Sequence, residues 1–104
     1  MLREFFLGMV KIHILYHASH SPVYGVELMQ ELSRHGYRIG PGTLYPILHK
    51  LEKAGYLVSQ KQKSGIRLRR YYSITPAGQR ILAEAREKVQ ELVEEIIEDQ
   101  HEQQ

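Results

Sequence analysis

The sequence has no cysteine, which excludes disulfides, thiolate zinc sites and thiol nucleophiles and fits a reducing compartment. Its single aspartate, Asp99, stands near the C-terminal end, there is no glycine-rich phosphate loop, and no serine has an evident base and orienting acid. Catalytic material is therefore poor, and an enzyme is not expected. No run approaches the ~18 uninterrupted apolar residues of a membrane span. Residues 1–20 also lack the basic, then apolar, then small-residue layout of a signal peptide. The expected address is the cytoplasm, with no membrane partner. Internal repeats and long low-complexity linkers are missing too.

What is present suits one small globular domain: 104 residues, 42% hydrophobic and 25% charged. The net charge of +2 hides a split. Residues 1–83 carry twelve Lys and Arg against four Glu, a net of +8, whereas residues 84–104 carry two basic and eight acidic residues, a net of −6. A basic body joined to an acidic end points to a polyanion for the first part and a different task for the second.

The first segment, residues 2–18, is apolar on more than one helical face and should be buried on several sides. A loop through Ser19, His20, Ser21 and Pro22 follows. Residues 24–34 repeat Val26, Leu28, Met29 and Leu32 at helical spacing, with Gly36 where a C-terminal cap belongs. A third helix is expected over 44–54, with Thr43 as N-cap, Pro46 in the first turn, Leu44, Ile47, Leu48 and Leu51 inward, and Gly55 as its stop. Residues 57–61 and 68–75 are rich in β-formers around Lys63, Ser64 and Gly65 and read as a hairpin. Thr75 and Pro76 then open a last helix whose Leu82, Ala85, Val89, Leu92 and Ile96 follow the 3-4 spacing of a coiled-coil seam. Beyond Glu98 the Gln- and Glu-rich end is expected to fray.

The fold class is thus mainly α with a small β-hairpin, in the order of a winged helix-turn-helix plus a long C-terminal helix. Residues 1–75 form the DNA-binding part, with the first helix shared with a dimer interface, and residues 76–104 form the dimerisation helix. In that order the third helix enters a DNA major groove. Its outward positions include Thr43, Tyr45, Pro46, His49 and Lys50, groups suited to phosphates and base edges. None is Arg, Asn or Gln, so discrimination must lean on shape or other contacts. The hairpin is the stronger electrostatic signal. Residues 53–83 contain no acid, and Lys61, Lys63, Arg67, Arg69 and Arg70 crowd its tip, where they would meet duplex phosphates or the minor groove.

Four stretches carry a resemblance to a known family: Tyr24-Gly25-Val26-Glu27-Leu28; Gly42-Thr43-Leu44-Tyr45-Pro46-Ile47-Leu48-His49-Lys50-Leu51-Glu52; Gly55-Tyr56-Leu57; and Arg70-Tyr71-Tyr72-Ser73-Ile74-Thr75-Pro76-Ala77-Gly78. Over residues 5–82 the chain resembles the PadR-like transcriptional regulators, in the compact branch with one C-terminal helix. The resemblance implies a homodimeric repressor on an inverted-repeat operator in double-stranded DNA. It further implies that Tyr24, Thr43, Tyr45 and Pro46 meet the DNA backbone and that Arg69 and Arg70 belong to the wing. Of the two adjacent tyrosines, Tyr72 shares a strand face with Ile74 and is expected in the core.

The acidic last helix would bury its seam, Leu82, Ala85, Val89, Leu92, Val93 and Ile96, against a partner subunit, supported by Phe5, Phe6 and Met9 of the first helix. Pairing would set two recognition helices about one DNA turn apart, ~34 to 36 Å. His13 and His17, one helical turn apart with His20 just beyond, have metal-ligand spacing but no Cys or carboxylate nearby. His35 and His49 are candidates for titration near neutral pH. Two other readings therefore stand beside the regulator: a metal-responsive variant using His13 and His17, and a winged-helix protein-interaction module. No cofactor is required, and the residues name no small-molecule or metal effector.

Overall fold

The computed structural model describes residues 1–98. Its elements are α1 (Leu2–His20), α2 (Gly25–Arg34), α3 (Pro41–Lys53), β1 (Leu57–Ser64), β2 (Arg67–Ile74) and α4 (Pro76–Val93), which runs on as a π-helical segment, Glu94–Glu98. The expected order of three helices, hairpin and long helix holds. Asp99 and the expected frayed end lie outside the described residues.

The core forms where the apolar stripes of α1, α2 and α3 meet the root of the hairpin. Val10 and Ile14 of α1, Leu28 and Leu32 of α2, Leu44 and Leu48 of α3, and Tyr72 of β2 are sealed from solvent. Ile47 and Leu51 are buried with them, so the inward face of α3 is the one its spacing predicts. Tyr72 is the buried member of its pair.

Both α2 and α3 stop in the same way. At the end of α2 the Tyr37 N–H donates to the Leu32 carbonyl (2.9 Å) and the Gly36 N–H to that of Ser33 (3.0 Å). At the end of α3, Tyr56 and Gly55 repeat the pattern onto Leu51 and Glu52. Each closure needs a left-handed residue, supplied by Gly36 (φ 87°) and Gly55 (φ 85°). Tyr37 then tucks its ring into the core.

The start of α3 corrects the sequence reading. Gly40, not Thr43, is the N-cap, and Pro41 takes the first helical position. The N–H groups of Thr43 and Leu44 both donate to the Gly40 carbonyl, at 3.1 and 3.0 Å. Proline's fixed φ and missing N–H suit that position, so the helix begins three residues before Leu44. Pro46 consequently lies in the second turn, on the exposed side, where the carbonyl it leaves unpaired can be met by water.

The hairpin is longer than its β-forming residues suggested. Pairing runs from Leu57↔Ile74 to Ser64↔Arg67, with Gly65 and Ile66 at the tip. Val23 adds one antiparallel bridge to the outer edge of β2, exchanging both hydrogen bonds with Tyr72 (2.9 and 2.7 Å). Thr75 caps α4 as expected: its Oγ1 accepts from the Gly78 N–H (3.0 Å) while its hydroxyl donates to the Gly55 carbonyl. The N-terminus of α4 is thereby tied to the end of α3. Leu82 holds it in the core, and beyond that point the helix runs on beside α1, giving a body 59 × 28 × 22 Å across.

Candidate nucleic-acid interface

With its apolar side buried, α3 presents Tyr45, Pro46, His49 and Lys50 to solvent and Thr43 at half-burial. Tyr45 leans back over the start of α2, where its phenol lies against Gly25. A Cβ at Gly25 would fall 2.6 Å from the Tyr45 Cζ, inside any real contact distance. Glycine there lets the two helices of the helix-turn-helix approach closely enough for Tyr45 to cross between them.

Strand alternation divides the hairpin cations between two faces. Lys61, Lys63 and Arg70 share the face of Leu57 and Tyr72; Arg67 and Arg69 share the face of Tyr71. Lys61 stands directly opposite Arg70, a like-charge pair that destabilises a hairpin by itself. Among the described residues the ion pairs are Arg34–Glu31 and Lys88–Glu91, so none of these five cations meets a carboxylate. Arg70 is nonetheless held at its root. Its Nη1 donates to Ser59 Oγ (3.0 Å), whose own hydroxyl (2.7 Å) and backbone N–H (3.1 Å) donate to Glu52 Oε2 at the end of α3.

Tyr24 joins the other face of the hairpin. The bridge at Val23 brings it alongside β2, where its ring meets Tyr71 edge-on at 5.4 Å and Arg69 places its guanidinium carbon 4.4 Å from the ring centroid. Tyr24, Arg69, Tyr45 and the exposed side of α3 therefore rest on one rigid frame, with Lys61, Lys63, Arg67 and Arg70 extending it along the hairpin. Sequence reasoning missed Tyr71, Ser59, Glu52 and Gly25 as parts of this surface. Gly25, Glu52 and Tyr71 stand inside the quoted motifs, and Tyr71 is also the alternate of the buried Tyr72, whereas Ser59 left no signal.

The histidines group differently from their spacing. His13 and His17 are joined by His35, the C-cap of α2, with one ligand atom from each ring lying within 4.8 Å of the others. Ring centroids are 5.0 Å apart for His13–His35, 6.1 Å for His17–His35 and 6.3 Å for His13–His17. His20 instead packs edge-on against Tyr16 at 4.6 Å. Burial, followed by the neighbouring His35 and His17, holds the His13 pKa below its ordinary 6.5.

Phe5, Met9, Ile12, Val89, Leu92 and Ile96 line most of an apolar cleft of ≈ 490 Å³ between α1 and α4. Phe5, Val89, Leu92 and Ile96 remain 53, 46, 47 and 54% exposed, whereas Val93 and Ala85 are half-buried. Leu82 corrects the expected pairing face: at 3% exposure it belongs to the subunit's own core. Phe6 is also drawn inward, onto the Tyr37 ring at 5.2 Å. Among the described residues no helix is long and apolar enough to cross a membrane.

Comparison with known proteins agrees with this architecture. The profile of the transcriptional regulator PadR-like family matches residues 14–84. The transcriptional regulator Rv3488 of Mycobacterium tuberculosis is 51% identical over 96 residues, covering 92% of this chain and 90% of that protein. A PadR family transcriptional regulator from Eggerthella lenta is 33% identical with a TM-score of 0.79, over 90% of this chain and 83% of its own. A PadR-like transcriptional regulator from Bacillus cereus is 30% identical with a TM-score of 0.78, over 86 and 88%. With its winged-helix fold and these relatives, the chain belongs to the PadR-like family of transcriptional regulators.

Proposed function

We propose that the protein is a homodimeric repressor that binds an inverted-repeat operator in double-stranded DNA, with residues 1–75 as the DNA-binding head and the helix from residue 76 onward as the pairing element. The observation that carries the reading is the hairpin. Five cations without carboxylate partners flank the exposed side of α3, and two of them, Lys61 and Arg70, stand opposite each other. Such a surface gains from a polyanion what it loses to self-repulsion, and phosphate contacts there release counterions. Tyr45, His49 and Lys50 would face the major groove, and the hairpin the adjoining backbone or minor groove.

Pairing is supported by the apolar side chains that α1 and α4 leave open along their shared cleft. A second copy would cover them and align two heads on a symmetric site. The repressor role is supported by the family resemblance and by a basic head joined to an apolar pairing face, a build that can act by occupying a promoter.

Binding to the DNA upstream of its own gene, followed across salt concentrations against a random duplex, tests the reading. Preference for one inverted repeat, with affinity falling steeply as salt rises, is the expected result. Equal binding to both duplexes at every salt overturns it. In a promoter-reporter assay, rising transcription on addition of the protein overturns the repressor role.

A further inference from the structure

We propose that His13, His17 and His35 form a three-imidazole site for a divalent transition-metal ion of the zinc class, joining α1 to the C-terminal end of α2. Three neutral nitrogen donors converge without a carboxylate among them, a set that suits zinc and its neighbours rather than calcium or magnesium. A Zn–N bond of ~2.0–2.1 Å sets tetrahedral ligand atoms about 3.4 Å apart. The donors now lie within 4.8 Å, so closure asks for a shift of about 1.4 Å at most, within reach of ring rotation at the exposed His35.

A second observation points the same way. Among the described residues, His17 Nε2 is the buried side-chain polar atom that has no hydrogen-bond partner. A buried nitrogen in that state costs free energy unless something binds it, and a cation held by its lone pair satisfies it as a hydrogen bond would. His17 is also in the last turn of α1 and His35 caps α2, so the negative ends of two helix dipoles approach the site. Arg86 of α4 is the one permanent cation lining the adjoining cleft, and it is exposed.

Three protein ligands are one fewer than a closed structural zinc site uses. The core of α1, α2 and α3 is complete without the ion, so the site fits an exchangeable metal that adjusts the fold rather than creating it. His35 immediately precedes Gly36 and the segment leading to α3. An ion holding His35 to α1 fixes the end of α2 and, through that turn, the placement of α3 relative to the paired helices. This regulatory half rests on the DNA-binding reading above; the metal site does not.

Calorimetric titration of the metal-free full chain with Zn²⁺ tests the site. One ion per chain is expected. His17→Ala and His35→Ala should each weaken binding at least about tenfold, since even indirect partners of metal-bound histidines are worth 10–100-fold. His20→Ala should bind as the parent does. His35 is exposed, so its loss leaves the fold intact by circular dichroism, and four-coordinate Co²⁺ absorption should vanish in that variant. No Zn²⁺ binding, or equal affinity in the parent and His35→Ala, overturns the site. Operator affinity should shift at least about threefold with Zn²⁺ in the parent and not in His35→Ala. An operator affinity that Zn²⁺ leaves unmoved in a metal-binding protein overturns the regulatory half alone. Absence of any operator preference tells against the DNA reading, while the Zn²⁺ stoichiometry still decides the site.

Discussion

Arg69 lies over the ring of Tyr24, its guanidinium carbon 4.4 Å from the centroid, and so locks the hairpin to the N-terminus of α2. An exposed contact of this type is worth about 0.5–1 kcal/mol. The Arg69 Nη1 also donates to Ser64 Oγ (3.4 Å), and the remaining guanidinium N–H groups are available to phosphate. Arg69→Ala should weaken DNA binding similarly across sequences and reduce the salt slope by about one. Tyr24→Leu should keep the slope while lowering affinity, because the charge stays and its placement is lost. Fluorescence anisotropy on labelled duplex across salt reads both; an unchanged slope in Arg69→Ala would remove that side chain from the interface.

Gly25 and Tyr45 make a paired prediction. Gly25→Ala places a methyl group against the Tyr45 ring, which must swing out or part the two helices. The methyl meets the far end of an exposed ring that can swing out, so a loss at the low end of overpacking, about 1 kcal/mol, is expected. In the double variant with Tyr45→Ala the clash disappears, so the two effects should not add. Urea denaturation of the four proteins completes the cycle, and strict additivity would show that the ring does not block the position.

Pairing through the α1–α4 cleft is tested with charge. Leu92→Glu puts a carboxylate among apolar residues that a partner would bury, beside Glu91 and the other acids of α4. Sedimentation velocity should show the dimer shifting to monomer, with operator affinity falling in parallel. A variant that stays dimeric would move the interface elsewhere.

The depressed His13 pKa gives stability a pH dependence in the metal-free protein. The folded state sheds this proton more readily than the unfolded chain, whose value is 6.5. Below 6.5 the unfolded chain therefore binds more protons, and stability is lost as pH falls through the folded pKa, while above 6.5 the contribution is complete. The groups facing His13 are His17 on its own helix, His35 and Tyr37 from beyond α2, and Arg86 from α4. Thermal melts from neutral to acidic pH should show a decline that His13→Gln flattens; identical profiles would assign the decline to other groups.

Thr75→Ala removes both the hydroxyl that caps α4 and its bond to the Gly55 carbonyl. A cost of about 1 kcal/mol, read from denaturant midpoints, is expected. No change would mean that Pro76 alone starts the helix.

Much of this was legible along the chain because the physics is local. The 3.6-residue spacing of Leu44, Ile47, Leu48 and Leu51 dictates which side of α3 is buried. Alternation chooses Tyr72 over Tyr71, and Thr75-Pro76 marks the start of α4. The acid-free run of wing cations is a property of composition, and the family motifs are contiguous. Thr43 misled because two good starts, a threonine cap and a proline at the first helical position, lie two residues apart, and closure onto the Gly40 carbonyl favours the proline.

What sequence alone determined was the set of elements, their inward faces and the charge of the hairpin. Tertiary structure decided which distant residues meet. It set Arg69 on Tyr24 through a bridge at Val23, took Leu82 from the pairing face into the core, and brought His35 rather than His20 to His13 and His17. Periodicity fixes the direction a side chain leaves its own helix, but helix crossings and turns fix what stands opposite it, and those follow from packing the whole core at once.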